Sequence, residues 1–169
     1  ENTSTIAQHG RRGANMQTLR VDHPDIEKFI EIKTGDVDMV KYSNISVLLT
    51  DEFMDAVQSD SDFDLHWGGK KYSTVKAKDL WMKIIEHAHS SAEPGLLFWD
   101  TMTKYHNAEY CSPLVSTNPC AEQPLPDGGC CNLGALNLER FVDQDGNFDF
   151  DGFKETTAVG ARFLDNVID

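Results

Sequence analysis

The run Ile45-Ser46-Val47-Leu48-Leu49-Thr50 leaves this chain few architectures. It is mostly apolar and rich in β-favouring residues, which predicts a strand buried within a sheet. Thr50 then reads as the N-cap of a helix over Asp51–Gln58, with Asp51 and Glu52 at the positive end of its dipole. Upstream, residues 17–21 read as a short strand with Leu19 and Val21 on one face. Pro24 suits the first turn of a helix, and Ile26, Phe29, Ile30 and Lys33 follow at helical spacing, Lys33 through its aliphatic stem. Gly35 ends that helix. Downstream, two β runs at 64–67 and 71–75 flank Gly68-Gly69, a hairpin signal. A helix over 77–92 carries Leu80, Trp81, Ile84, Ile85 and Ala88 on one stripe. Glu93-Pro94-Gly95 breaks it, and residues 96–99 begin an extended segment. Strands alternating with helices predict an α/β class with parallel pairing.

Composition narrows the function. Among 169 residues, 15 Lys+Arg stand against 28 Asp+Glu, a formal charge of −13. An acidic chain without a basic face argues against a nucleic-acid polymer as partner. No apolar run approaches membrane-spanning length and no signal peptide is visible, so the expectation is a cytoplasmic protein with no membrane partner. The chain opens on Glu1 rather than Met and closes inside a helical pattern, which predicts that 1–169 is a piece of a larger fold.

All four cysteines, Cys111, Cys120, Cys130 and Cys131, fall between residues 107 and 134. Pro113, Pro119, Pro124 and Pro126 with Gly128 and Gly129 predict a long loop there, without regular structure. If the loop is extended, Asn118, Cys120 and Glu122 project to one side: an amide, a thiol and a carboxylate facing one substrate. An isolated cysteine is more often a small buried hydrophobe than a catalyst. A structural zinc is a sharper rival, but no C-x2-C pair exists and adjacent Cys130 and Cys131 do not easily share one ion, so no metal is expected. A thiol hydrolase needs a histidine partner, for which His87, His89 and His106 are candidates without a local signature. Beyond the loop, an acidic turn at 143–147 precedes a helix starting near Asp151, with Phe153, Thr157, Ala161, Leu164 and Ile168 as its core stripe.

Residues 8–16, Gln-His-Gly-Arg-Arg-Gly-Ala-Asn-Met, form a basic glycine-bearing loop in this acidic chain. Arg11 and Arg12 beside Gly13 suit stacking on bases and donation to phosphate, although an ordinary basic surface loop has the same composition.

Thr117-Asn118-Pro119-Cys120-Ala121-Glu122-Gln123-Pro124-Leu125, followed by Cys131-Asn132-Leu133-Gly134-Ala135-Leu136-Asn137-Leu138, resembles the finger-loop region of ribonucleotide reductase catalytic subunits. Arg11-Arg12-Gly13-Ala14-Asn15-Met16, Leu19-Arg20-Val21-Asp22-His23-Pro24-Asp25-Ile26, Asn44-Ile45-Ser46-Val47, Thr50-Asp51-Glu52-Phe53-Met54 and Glu93-Pro94-Gly95-Leu96-Leu97-Phe98-Trp99-Asp100 resemble the same family in the same order. The resemblance covers nearly the whole chain.

It implies part of a ten-stranded α/β barrel with the finger loop (107–134) threading its centre. It implies thiyl-radical reduction of ribonucleotides to deoxyribonucleotides. Cys120 would be the radical cysteine, Glu122 the base for the 3′-hydroxyl, and Asn118 a hydrogen-bonding partner of the ribose hydroxyls, with Thr117 and Pro119 beside the substrate. Cys131 would be one thiol of the redox disulfide, its partner lying upstream of Glu1, and Cys111 and Cys130 match no family position. Residues 8–16 would be the specificity loop, with Gln8, Arg11, Arg12 and Gly13 relaying a nucleoside triphosphate or deoxynucleotide effector. The implied partners are a thioredoxin-like or glutaredoxin-like reductant and a second subunit in a homodimer. The wording around Cys120 is most like the adenosylcobalamin-dependent class. The alternatives are a large subunit whose radical comes from a separate metal subunit, and a non-catalytic nucleotide-binding or assembly module. On its own, the chain is expected to be catalytically incomplete.

Overall fold

A computed structural model describes residues 7–8, 11–34, 40 and 42–168, with the backbone alone at residues 7, 8, 11 and 12. The chain divides into two units, residues 1–129 and 130–169.

The first unit is built on a parallel three-stranded sheet. Strands β1 (Ala7–Gln8) and β2 (Arg11–Arg12) form a short antiparallel ladder, so the segment expected as a loop begins with paired backbone. Strand β3 (Asn15–Arg20) takes Asn15 and Met16 into the sheet rather than leaving them in that loop. It pairs in parallel with β4 (Ser43–Leu49), which pairs in parallel with β7 (Gly95–Phe98). The parallel α/β expectation holds. Helix α1 (Ile26–Glu31) joins β3 to β4, with Asp25 as its N-cap, so Pro24 precedes the helix instead of opening it. Ile26 and Ile30 are buried as the spacing requires. Lys33 does more than lay down its stem, because its ammonium pairs with Glu93. Gly35 lies outside the described residues.

Helix α2 (Asp51–Gln58) starts where Thr50 predicts it, the Thr50 hydroxyl accepting the Phe53 N–H at 3.2 Å. Strands β5 (Asp62–Trp67) and β6 (Lys70–Lys76) form the expected hairpin. Gly68 and Gly69 turn it at φ 60° and 75°, the left-handed pair that a two-residue turn needs. Helix α3 (Ala77–Ser91) buries Ala77, Leu80 and Ile84, while Ile85 is exposed, so the buried stripe is narrower than the sequence pattern. Helix α4 (Trp99–Tyr105) follows β7 directly, so the extended segment that residues 96–99 are expected to begin stops at Phe98.

One core unites these elements: Val21, Val47 and Leu49 from the sheet side pack with Ile26, Ile30, Phe53, Phe63, Leu80 and Ile84. Phe53 and Phe63 meet edge to face at 5.1 Å.

In the second unit, a 3-10 turn at Leu138–Phe141 and a bridge between Val142 and Phe148 precede helix α5 (Phe150–Asn166). Asp149 caps the helix by accepting the Gly152 N–H at 2.9 Å. Phe141, Phe148 and Phe153 cluster with centroids 5.3 to 6.0 Å apart. The helix buries no residue fully. Its inner face runs through Phe153, Gly160 and Leu164, whereas Thr157, Ala161 and Ile168 of the expected stripe are exposed. Thr157 instead returns its hydroxyl to the Phe153 carbonyl at 2.7 Å. Among the described residues, no helix is long and apolar enough to cross a membrane.

Candidate functional site

The two faces of the parallel sheet differ: the face away from the helices buries Leu48 and Leu97 toward its carboxyl end and carries polar side chains toward its amino end. Side chains alternate along each strand, so Leu19, Val47 and Leu96 share the helix-covered face. The other face carries a row in register, Thr18 beside Ser46 beside Gly95, with Asn44 one step away on β4. A Cβ on Gly95 would stand 2.7 Å from the Ser46 hydroxyl oxygen, so glycine lets the row close up.

Against this polar face lies a structure the sequence did not predict. Strands β8 (Leu114–Thr117) and β9 (Pro124–Pro126) pair antiparallel within the stretch expected to be irregular. Proline is tolerated because each proline costs only its own N–H on a two-stranded ladder. The Thr18 and Ser116 hydroxyls lie 3.4 Å apart, joining hairpin to sheet. Asn44 reaches the tip, its Nδ2 donating to the Pro119 carbonyl at 2.5 Å.

The tip at 118–123 is a tight turn rather than an extended segment, which overturns the alternation argument for Asn118, Cys120 and Glu122. Asn118 organises it. Its N–H donates to the Gln123 carbonyl at 3.1 Å, and its side-chain oxygen accepts the Gln123 N–H at 3.0 Å. Its carbonyl accepts the Ala121 N–H at 2.9 Å and the Thr117 hydroxyl at 3.0 Å. Ala121 sits at φ 67°, the left-handed conformation that reverses the chain after Cys120. Cys120 and Glu122 are exposed, Asn118 and Pro119 half-buried, and Thr117 buried. A cavity of about 330 Å³ opens between α4 and the hairpin, lined by Met102, Tyr105, His106, Leu114, Gln123 and Pro124. His106 is engaged there through Nε2, 3.0 Å from the Ser112 carbonyl. His87 is half-buried and His89 exposed on α3.

Cys131 belongs to the second unit and is exposed, as are Cys111 and Cys130, and no disulfide joins the four. Its neighbour Asn132 is fixed by donating Nδ2 to the Leu164 carbonyl at 3.0 Å. Among the described residues no group of three His, Cys, Asp or Glu is placed to hold a metal ion. Gly13 is half-buried beside β3, and the side chains of Gln8, Arg11 and Arg12 lie outside the described residues.

At the carboxyl ends of the parallel strands, Arg20 forms a two-pronged pair with Asp22 at 3.0 and 2.8 Å. That hydrogen bonding raises the Arg20 guanidinium above its ordinary value. Asp100 accepts the Asp51 N–H at 2.8 Å, supporting the start of α2. Asn44 and the carboxyl-edge pairs are the elements sequence reasoning missed. Asn44 lay within a quoted motif, but nothing local ties it to a residue 75 positions on.

The family model for the ribonucleotide reductase barrel domain matches residues 1–169. A vitamin B12-dependent ribonucleoside-diphosphate reductase of Thermoplasma acidophilum is 41% identical over 99% of this chain and 22% of its own length. One of the same name from Mycobacterium tuberculosis (strain ATCC 25618 / H37Rv) is 38% identical over 94% of this chain and 23% of its own. A vitamin B12-dependent ribonucleotide reductase of Rhodopirellula baltica is 34% identical over 85% of this chain and 16% of its own. The chain thus spans less than a quarter of each of these three relatives.

Proposed function

This chain belongs to the ribonucleotide reductase barrel-domain family, and from that premise we propose that it is the finger-loop segment of a catalytic subunit that reduces ribonucleotides to deoxyribonucleotides for DNA precursor synthesis. The observation that carries the reading is an exposed Cys120 at the tip of a turn whose backbone is held at both ends of the Asn118–Gln123 pair.

The chemistry follows from what each group can do. A thiyl radical on Cys120 removes the ribose 3′-hydrogen. Glu122, two residues on and exposed, takes the proton of the 3′-hydroxyl. Asn118 has given its side-chain oxygen to the turn, so its Nδ2 is the part that donates to a ribose hydroxyl. Cys131 and a thiol outside this chain supply two electrons and two protons and close to a disulfide, one proton leaving with the 2′-hydroxyl as water and one ending on C2′; Cys120 then returns its hydrogen atom to C3′ and regains the thiyl radical. A thioredoxin-like or glutaredoxin-like reductant reopens the disulfide. Thr117 and Pro119 hold the substrate side of the turn.

The relatives' names carry vitamin B12 dependence, which favours adenosylcobalamin over a separate metal subunit as the radical source. Cys120, at the tip of the hairpin turn, is the thiol that would give up its hydrogen atom to that source. When bound, adenosylcobalamin supplies the organic radical that takes that hydrogen atom. Two of those names specify diphosphates, and we take ribonucleoside diphosphates as the substrate. Residues 8–16 act as the specificity loop, with Gln8, Arg11, Arg12 and Gly13 passing on the identity of a bound nucleotide effector in a cytoplasmic homodimer.

The deciding experiment uses the full-length polypeptide with adenosylcobalamin, a dithiol reductant and cytidine diphosphate. Cys120→Ala is expected to abolish deoxynucleotide formation while substrate still binds. Product formation by that variant at the parental rate refutes the assignment.

A further inference from the structure

We propose that Asn44 is a positioning residue for Cys120, acting through the carbonyl of Pro119; the inference rests on the reading of Cys120 above. The Pro119 carbonyl belongs to the peptide unit that joins Pro119 to Cys120. The hydrogen bond from Asn44 Nδ2, at 2.5 Å, therefore fixes the plane of the peptide that carries the Cys120 nitrogen. The orientation of that plane sets ψ of Pro119 and φ of Cys120. The proline ring already fixes φ of Pro119 near −65°. On the other side, Ala121 is held at φ 67° by its N–H bond to the Asn118 carbonyl. The Cα–Cβ direction of Cys120 is thus constrained from both sides.

The bonds within the turn and the bond from Asn44 do different work. Asn118, Ala121 and Gln123 define the shape of the turn, and those bonds survive if the whole hairpin swings. Asn44 stands on β4, so its bond fixes the tip relative to the sheet. The Thr18–Ser116 contact at 3.4 Å is a second tether, nearer the base of the hairpin. With Asn44 removed, the tip can pivot about that base while keeping its internal shape. Asn44 itself is exposed, unlike every other residue of β4, so its side chain is not needed to fill the core. Its donor is what matters. An ionised aspartate has nearly the same shape but no donor, and it would set a carboxylate against the Pro119 carbonyl oxygen.

Hydrogen-atom transfer demands close placement, and a displacement of about 1 Å costs on the order of 100-fold in rate. The test compares Asn44→Ala, Asn44→Asp and Cys120→Ala with the parent in the full-length polypeptide. Pre-reduced enzyme loaded with adenosylcobalamin is mixed with cytidine diphosphate, and the single-turnover rate is measured beside the substrate Kd. Iodoacetamide labelling of Cys120 in the cofactor-free protein is followed by mass spectrometry, with Cys111 as internal reference. Both Asn44 variants are expected to lose at least fivefold in single-turnover rate, with Kd within threefold of the parent. Labelling of Cys120 relative to Cys111 is expected to rise at least threefold. A smaller rate loss, an unchanged labelling ratio, or a rate loss matched by an equal loss of binding overturns the inference. Product from Cys120→Ala would instead sink the reading of Cys120, whereas an inactive Cys120→Ala beside fully active Asn44 variants sinks the role of Asn44 alone.

Discussion

Glu93 is the residue whose loss should be felt farthest from its own position. The ladder between β4 and β7 begins at Ser46 and Gly95, so the N–H of Ile45 lies one residue before it. Ile45 is 1% exposed, and its N–H finds its acceptor in Glu93 Oε1 at 3.1 Å. The other carboxylate oxygen pairs with the Lys33 ammonium, the two side chains being 22% and 15% exposed. Glu93→Ala removes both partners together. An orphaned buried N–H costs about 1–3 kcal/mol, and a largely covered ammonium without its counter-ion adds about 1 kcal/mol or more. The expected total is about 2–4 kcal/mol of local stability, a factor of about 30 to 1,000 in the opening equilibrium. Glu93→Gln keeps an oxygen for Ile45 and forfeits only the charge, so it should cost about 1 kcal/mol. Hydrogen exchange resolved at the Ile45 amide in the full-length protein reads this directly. Exchange should accelerate strongly in Glu93→Ala, weakly in Glu93→Gln, and be unchanged at Phe53, whose N–H is bonded to Thr50. Equal acceleration in the two variants, or less than threefold at Ile45 in Glu93→Ala, would refute the assignment of Glu93 as the surrogate for a strand carbonyl.

Three further outcomes follow from the same geometry. Gly95→Ala should destabilise by about 1–3 kcal/mol through its clash with the Ser46 hydroxyl, and adding Ser46→Ala should restore most of the loss in a thermal melt. In the second unit, Asp143 is held below the ordinary carboxylate range, first by the Asn147 backbone N–H and then by the Asn147 side chain. Its contribution to the turn is present above the unfolded carboxyl value and is lost as pH falls through the lowered folded one, so Asn147 amide shifts should move only in that acid window. Cys131→Ser in the full-length enzyme should abolish product even in a single turnover of pre-reduced enzyme, because that thiol is itself oxidised in each reduction, while Cys130→Ser stays within about twofold.

The elements that sequence reasoning recovers are those whose causes are local. Thr50 followed by Asp51 and Glu52 states a helix start within three residues, and α2 begins there. Gly68-Gly69 states a hairpin, because few other residues take two successive positive φ values cheaply. The β8–β9 hairpin was illegible because its strands contain the residues that ordinarily exclude strands, Pro124 and Pro126. Its pairing with the sheet depends on Thr18 and Asn44, far away in sequence. Helix α4 was hidden because β7 passes into it without a turn residue. The stripe of α5 was misplaced because apolar spacing alone counted Ala161 and Thr157 as inward, while Gly160 is the residue set against Leu136. Residue type and resemblance single out Cys120 and Glu122, whereas the tight turn removes the alternation of an extended segment as a geometric reason for them.

The tight turn bears on where chemistry sits in this fold. Open parallel sheets usually bind ligands outside the carboxyl ends of their strands. Here the polar groups at that edge are occupied with one another: Arg20 with Asp22, and Asp100 with the start of α2. The second face of the sheet is different. A parallel sheet with helices on one side ordinarily buries apolar side chains on the other as well; this one does so with Leu48 and Leu97, but toward the amino ends of its strands it presents Thr18, Asn44 and Ser46. Two of those residues hold the hairpin, through Ser116 and the Pro119 carbonyl. A half-buried hydroxyl such as that of Thr18 is unfavourable unless it is partnered, and the Cys120 hairpin supplies its partner as well as one for the exposed Asn44 amide. The polar face and the cysteine turn therefore explain each other. Replacing Thr18 and Asn44 together with Val and Leu should leave the helix-side core intact while releasing the hairpin. Faster exchange at the β8 amides, with unchanged exchange in α2 and α3, is the expected signature; protection lost throughout the first unit would show that the polar face holds the fold rather than the loop.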